Sequence, residues 1–467
     1  MESDPVDGSH RGGWFVAAVV VLAAALRLYM AVATPLIFDE YLWIHIVDDV
    51  NLRPGEIRLP IHGDQHPPGQ VYWGSLGTLL LGSNLLGYRL ASVVLGTLAV
   101  VLAFRLGALY FGPFAGLLAA WLVAMNEYLI GGVSRVCTEK NYLAFALLAV
   151  VLFERAARRP TRSAFVWLGA SFGLGLLTKQ SMILWAPLFV LELFRRPGTR
   201  RLWRTPGPWL GLATCAVVIV PDVLFYLFFR TAEGYSLAGV GYQLSKLGLG
   251  WDWGPTSLYC RSLIFPLVEP ALFDYPALTL LPGAILLLGA AASLHFVRSP
   301  TARFLQILGF GTFLFFSIFG GSGRDYSAFW WADASILPFS ILAAAVVSRL
   351  ARGRMALAAG LAAVFLVKGV QVTATRDNVF LPDLVRPAEA VVEKARYRQR
   401  ALGISRRHLD HVELCRLGPW WLPAWRYYRD GYEWYRGHLA AAPADTGGEP
   451  DREWVEEQLA RFPEPRP

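Results

Sequence analysis

Pro68-Gly69-Gln70-Val71-Tyr72-Trp73-Gly74-Ser75-Leu76-Gly77-Thr78-Leu79-Leu80-Leu81-Gly82 carries no charge and is apolar throughout, yet it is only 15 residues long. A helix needs about 20 such residues to cross the hydrocarbon of a bilayer. The stretch is therefore read as a helix that lies along one membrane surface. Pro67 and Pro68 suit its first turn, where a missing N–H costs nothing. The topology of the whole chain turns on this reading.

Outside 68–82, apolar runs long enough to span recur at about 14–33, 86–110, 113–133, 141–157, 164–179, 181–194, 207–229, 276–297, 303–320, 333–350 and 354–374. The run at 181–194 is short enough to be tilted or partly re-entrant. Counted from an inside N-terminus, four basic loops fall on the cytoplasmic side: Arg155, Arg158, Arg159 and Arg162; Arg195, Arg196, Arg200, Arg201 and Arg204; Arg298 and Arg303; Arg349, Arg352 and Arg354. Were 68–82 to cross, all four would face outward, against the positive-inside rule. The sequence thus predicts an all-α polytopic membrane protein of eleven spans, in a plasma (inner) membrane, with its C-terminus outside.

Composition agrees with that class. Hydrophobic residues make up 55% of the 467, charged residues 17%, and mean hydropathy is +0.41; a soluble domain carries roughly 25% charged residues. The runs are continuously apolar rather than alternating, and open sheet edges do not exist in lipid, so strands are excluded there. The first run has no small-residue cleavage site after it and is read as a retained helix. A net charge of +8 invites a nucleic-acid reading. The excess arginine lies in short loops between apolar runs, which is a topology signal instead. The four cysteines, Cys137, Cys215, Cys260 and Cys415, lack zinc spacing. They are read as buried thiols, with a Cys260–Cys415 disulfide the alternative.

Residues 1–374 form the membrane module and 375–467 an extracytoplasmic region. The first outer loop, within 34–85, holds Asp39, Glu40, Asp48, Asp49, Glu56 and Asp64. The loop 230–275 is rich in Gly, Trp and Tyr. The tail from 375 is polar enough for a small α or α+β domain, with a Pro/Ala/Asp/Glu-rich end after about residue 440. No repeat of solenoid or inverted-transporter type is evident.

Phe38-Asp39-Glu40-Tyr41 follows directly on the first span. Two adjacent carboxylates beside anionic headgroups suit chemistry better than packing, although an Asp capping a helix is ordinary. His62, Asp64 and His66 alternate in His62-Gly63-Asp64-Gln65-His66-Pro67-Pro68-Gly69 and would share one side of an extended segment. They suit a divalent metal, or equally a turn whose side chains bond the backbone and aim the next helix. Basic residues complete the outer set. Arg27 lies within the first span, six residues short of its end; Arg89 opens the second; Arg135 follows the third; Lys179 ends the fifth. The positive-inside rule disfavours each position, and an ionisable residue within a span is a functional candidate. Each asks for an anionic partner, either a phosphate or a carboxylate such as Asp39, Glu40, Glu127 or Glu139.

These residues occur in one order: an acidic pair after the first helix, His66-Pro67-Pro68, the arginine-led Tyr88-Arg89-Leu90-Ala91-Ser92, Ser134-Arg135, and Leu177-Thr178-Lys179. That order resembles the GT-C superfamily of membrane glycosyltransferases, in its protein O-mannosyltransferase and aminoarabinose-transferase-like branch. The resemblance covers residues 14–195 and only weakly the rest; 324–331 matches a helix-entry motif loosely. It implies a polyprenyl-phosphate-linked sugar as donor, an outer-face cavity and inversion at the anomeric carbon. Asp39 falls on the catalytic acidic position with Glu40 beside it, Arg135 on a phosphate-contacting arginine, and Lys179 on a donor-phosphate lysine; Arg89 and Arg27 are further phosphate candidates. His66, Asp64 and Tyr88 are expected to position substrate. The chain departs from the pattern at Cys137, Thr138 and Glu139. The partners implied are the bilayer, the donor lipid, and a glycan, lipid or protein acceptor. Two rival readings keep the fold: a flippase of lipid-linked sugars, which would want midplane polar groups and repeated halves, and a non-catalytic envelope assembly partner.

Overall fold

The computed structural model describes residues 9–33, 47, 69–82, 85–133, 138–225, 281–319, 332–350 and 355–375. These residues form helices, and no strand occurs among them. In chain order the helices are α1 (Ser9–Ala33), α2 (Gly69–Leu81), α3 (Leu85–Phe111), α4 (Pro113–Ala124), α5 (Glu127–Val133), α6 (Thr138–Arg158) and α7 (Arg162–Thr178). Then come α8 (Trp185–Arg195), α9 (Pro206–Phe225), α10 (Leu281–Phe296), α11 (Pro300–Phe319), α12 (Ile336–Leu350) and α13 (Met355–Thr375). Among the described residues three helical stretches are both long and apolar enough to cross a membrane, Gly13–Val32, Leu86–Phe111 and Pro300–Phe319, and several shorter helices are equally apolar.

Small residues let these helices close on one another. A Cβ on Gly107 would stand 2.7 Å from the Cα of Gly116, so α3 and α4 meet backbone to backbone. Gly169 of α7 meets Gly211 of α9 in the same way, and Gly173 faces Val218 one turn on. In a bilayer such close approach replaces the hydrophobic drive that water would supply. Large apolar side chains point outward, among them Leu79 at 79% and Val217 at 70% exposed, as a lipid-facing surface requires.

Contacts sort the helix ends into two groups. At one end Arg158 of α6 lies over the ring of Tyr110 near the end of α3. Arg196, just past α8, bonds Glu154 of α6, and Arg195 donates to the carbonyl of Pro300 at the start of α11 (3.3 Å). Arg349 of α12 donates to the last carbonyl of α10, Phe296 O (2.6 Å). The described arginines of all four basic loops therefore gather at one end of the bundle. At the other end the start of α3 meets the end of α1 through Arg89 and Ala31, and α2 meets the end of α7.

Residues 69–81 form one helix. Helix α2 covers 69–81, then reverses at Gly82, whose φ of 82° is the left-handed conformation glycine tolerates, and runs back beside α3. Its Gly69, Gln70, Val71, Gly74, Gly77 and Thr78 are buried, while Tyr72, Leu76, Leu79 and Leu80 are exposed. An outward face of that kind suits lipid.

Two expected spans are built differently. The run 113–133 is not one helix: it breaks at Met125 and Asn126, where the Asn126 side chain accepts the N–H of Leu129 (3.0 Å) and restarts the chain as α5. Asn caps a helix N-terminus by competing with the backbone for that N–H. The run 181–194 begins as a 3₁₀ turn, Gln180–Leu184, before α8 starts at Trp185.

Candidate functional site

The break between α4 and α5 leaves carbonyls that no helical N–H reaches. Arg27 of α1 supplies them: Nη2 donates to Val123 O (3.1 Å) and Nη1 to Ala124 O (3.3 Å) and Ala23 O (3.1 Å). The guanidinium is wholly buried. Its two Nη groups are thus held by backbone carbonyls of α1 and α4, while Nε has no hydrogen-bond partner. Arg89 is likewise buried, and its Nη1 donates to Ala31 O (2.6 Å), which fastens the start of α3 to the end of α1. Tyr88 beside it is 1% exposed.

Lys179 stands at the same end. It is the C-cap of α7, extended at φ −154° and ψ 133°, with its N–H on Gly175 O (2.9 Å). Its side chain is 2% exposed, and Nζ lies 5.9 Å from the ring centroid of Tyr142 at the start of α6. Helix α2 packs against the two residues before it. Gly69 packs against the carbonyl of Leu177, in a space no side chain could enter. One turn on, Trp73 Nε1 donates to Thr178 Oγ1 (3.0 Å), while Thr178 itself donates to Leu174 O (2.8 Å). The Trp73 ring stacks on Phe145 of α6 at 5.4 Å. Gln70, between those contacts, accepts from Asn141 Nδ2 (2.7 Å), and both amides are fully buried. The positive N-terminal end of α2 thus joins a buried lysine and a buried amide pair.

Buried polar atoms with no hydrogen-bond partner mark this end. Gln70 Nε2, Asn141 Oδ1, Ser75 Oγ and Ser92 Oγ are all of that kind. Such groups are costly to leave unmade and point to a polar visitor.

The other expected site residues, Asp39, Glu40, His62, Asp64, His66 and Arg135, lie outside the described residues, as do the loop 230–275 and the tail after 375. Among the described residues no three His, Cys, Asp or Glu side chains converge to hold a metal. The structure adds an ionic cluster that the sequence reading passed over, at the arginine-rich end. Glu154, 1% exposed, takes Arg196 Nη1 (3.0 Å), Arg196 Nη2 and Thr301 Oγ1 (3.2 Å). Glu192, wholly buried, takes Arg195 Nε and Nη2 (2.7 Å each) and Arg196 Nε. Burial works against the charge on Arg196, yet its bonds to the two carboxylates leave its pKa raised. The cluster joins α6, α8 and α11 far along the bundle from Lys179.

Comparison with known proteins fits this arrangement. Residues 65–225, which contain α2, Arg89, Arg135 and Lys179, match the family described as dolichyl-phosphate-mannose-protein mannosyltransferase. The crystal structure of ArnT from Cupriavidus metallidurans bound to undecaprenyl phosphate superposes with a TM-score of 0.56 at 17% identity, over 80% of this chain and 76% of that one. This chain therefore shares the fold of that membrane protein. An Archaeoglobus fulgidus oligosaccharyltransferase in complex with Zn and sulfate is similar at a TM-score of 0.50 and 17% identity, over 77% of this chain and 52% of that one. An undecaprenyl phosphate-α-4-amino-4-deoxy-L-arabinose arabinosyl transferase of Pseudomonas aeruginosa is 29% identical over 159 residues, 33% of this chain. The shared stretch spans only 29% of that relative's length.

Proposed function

We propose that this chain is a glycosyltransferase that moves a sugar from a polyprenyl-phosphate donor to an acceptor hydroxyl at the outer face of the membrane, inverting the anomeric carbon. The observation that carries the reading is Lys179. It is a buried cation at the end of the bundle opposite the arginines, among buried polar groups that lack partners. A phosphate headgroup entering from the bilayer is the anion such a lysine suits. The undecaprenyl phosphate bound in the GT-C structure from C. metallidurans supports the choice of lipid.

The chain makes eleven passes, with the arginine-rich end in the cytoplasm and the Lys179 end outside. The gathering of the described arginines of the four basic loops at one end supports this. Asp39, with Glu40 beside it, follows α1 in the sequence, and Arg89 fastens the end of that helix through Ala31 O. In the reaction Asp39 takes the proton of the acceptor hydroxyl. The acceptor oxygen bonds to the anomeric carbon from one side as the bond to the phosphate oxygen breaks on the other. Arg135 and Lys179 stabilise the charge that develops on the departing lipid phosphate. His66, Asp64 and Tyr88 position the donor. A divalent cation at His62, Asp64 and His66 is a further expectation, and no step above requires it.

The test is transfer by the purified protein in nanodiscs. Undecaprenyl phosphate carrying mannose, glucose, galactose or arabinose is supplied with peptide, lipid and polysaccharide acceptors, and products are read by mass spectrometry. Transfer from one of these donors with inversion is expected. Movement of a lipid-linked sugar across the bilayer without transfer would establish a flippase instead.

A further inference from the structure

Gln70 and Asn141 have no function in the scheme above, and their geometry asks for one. Each side chain is 0% exposed, and Asn141 Nδ2 donates to Gln70 Oε1 at 2.7 Å. Two primary amides that meet edge to edge can close a ring of two hydrogen bonds. This pair makes one. The remaining donor, Gln70 Nε2, and the remaining acceptor, Asn141 Oδ1, have no partner. Both belong to the same pair, whose two amides are held together by the bond already made. A buried donor and a buried acceptor left open together are costly in a native protein unless something fills both.

The visitor must therefore accept one hydrogen bond and donate another. A phosphate dianion cannot donate, and a cation cannot accept. A hydroxyl does both from a single oxygen, at about 2.8 Å from each partner. The pair also stands where a sugar would be. Gln70 lies between Gly69 and Trp73, the two α2 residues that touch Leu177 and Thr178 next to Lys179. Asn141 precedes Tyr142, whose ring faces the Lys179 ammonium. A lipid-linked sugar whose phosphate meets Lys179 carries its ring hydroxyls to the neighbouring side chains.

We propose that the Gln70–Asn141 pair is a specificity element that grips one hydroxyl of the donor's sugar, Gln70 Nε2 donating to the hydroxyl oxygen and Asn141 Oδ1 accepting its hydrogen. The proposal rests on the glycosyltransferase reading above and deepens it: the lysine recognises the phosphate, and the amide pair reads the sugar. A site built to bond a hydroxyl rejects the analogue that lacks it far more strongly than an apolar pocket would.

The test uses the full-length protein in nanodiscs. Binding of undecaprenyl phosphate, bare or carrying mannose, glucose, galactose or arabinose, is measured first. Each monodeoxy form of the tightest-binding sugar lipid is then compared with its parent. One monodeoxy form should bind wild-type protein about 10- to 100-fold more weakly than the parent. In Gln70→Met and in Asn141→Leu that ratio should collapse to about 3-fold or less, because the parent loses what the deoxy form never had. Ratios within one preparation are unaffected by how much protein is folded. Should Met or Leu prevent assembly, the exchange Gln70→Asn with Asn141→Gln keeps an amide at each position and should change the ratio by moving the open atoms.

Bare lipid that binds as tightly as every sugar lipid would overturn the inference, as would a deoxy penalty that persists undiminished in the variants. In both cases bare undecaprenyl phosphate still binds, so the proposed function stands and the pair holds a water or only joins α2 to α6. Failure of wild-type protein to bind bare undecaprenyl phosphate or any sugar lipid would overturn the inference together with the function beneath it.

Discussion

Replacing Arg196 with Met should destabilise the protein by about 3–5 kcal/mol, the usual cost of removing one partner from a buried ion pair. The bonds described above say where that cost falls. Glu192 keeps its two 2.7 Å bonds from Arg195 and remains paired. Glu154 keeps the hydroxyl of Thr301 at 3.2 Å and the neighbouring phenol of Tyr110, both neutral, and at 1% exposure it cannot turn to water. The loss is therefore that of one stranded carboxylate. Glu154→Gln should cost less, about 1–3 kcal/mol, because Arg196 still has Glu192 and no anion is stranded. Combining Arg196→Met with Glu154→Gln should recover stability relative to Arg196→Met alone, since the double variant buries no unpaired charge. Unfolding can be followed by tryptophan fluorescence as SDS is titrated into mixed micelles. Donor affinity should stay within about twofold throughout, because the cluster lies at the opposite end from Lys179 and bonding effects at separated sites add independently. A deficit for Arg196→Met under about 1 kcal/mol, or a double variant no more stable than that single one, would refute the reasoning.

Other outcomes test the proposed chemistry and topology. Asp39→Asn keeps size but cannot take a proton, so single-turnover transfer at saturating donor should fall by about 10²–10⁴-fold with donor affinity unchanged; near wild-type turnover would move the base to Glu40 or Asp64. Lys179→Ala and Arg135→Ala should each weaken binding of undecaprenyl phosphate by about 10- to 100-fold, as expected for one charge-assisted phosphate contact, and a variant with unchanged affinity has no such contact. If His62, Asp64 and His66 hold a divalent cation, EDTA should abolish transfer and added Mn²⁺ or Mg²⁺ restore it; transfer unaffected by EDTA removes the metal from the scheme. In a variant without native cysteines, cysteine placed at 447 should react with an impermeant maleimide in intact cells and cysteine placed at 157 should not. The reverse pattern would sink the eleven-pass arrangement.

Much of the fold could be read directly, because apolar run length is a strong signal in a bilayer. The 15-residue stretch 68–82 reads as a short helix, and it folds as a 13-residue one that ends at Gly82 before the chain reverses into α3. The break at Asn126 was harder to see because the run 113–133 is apolar on both sides of it. The signal available was Asn126 itself, a capping residue inside an apolar run. Arg27 shows the limit of local reading. A cation in a span is a functional candidate on its own sequence, and its true neighbours, Val123 and Ala124, come from a helix nearly a hundred residues later. Glu154 and Glu192 were overlooked for a related reason: the arginines beside them already had an explanation as topology signals. Lys179 caps a helix end, but the packing beside it, Gly69 on Leu177 and Trp73 on Thr178, comes from α2, and no pattern within 160–180 could disclose that.

The link between Arg27 and α4 also sets an order of events during synthesis. The arginine leaves the ribosome 97 residues before Ala124, whose carbonyl it will hold. At about 5–20 residues per second that is an interval of roughly 5–20 s. Throughout it, α1 carries a cation whose insertion alone costs about 2.5–3.5 kcal/mol near the middle of a span. The first helix must therefore wait at the translocon or in its lee until α3 and α4 arrive, rather than diffuse into lipid by itself. Any change that hastens its release, such as a more hydrophobic α1 that still keeps Arg27, would gain easier insertion at the risk of arriving before its partner exists.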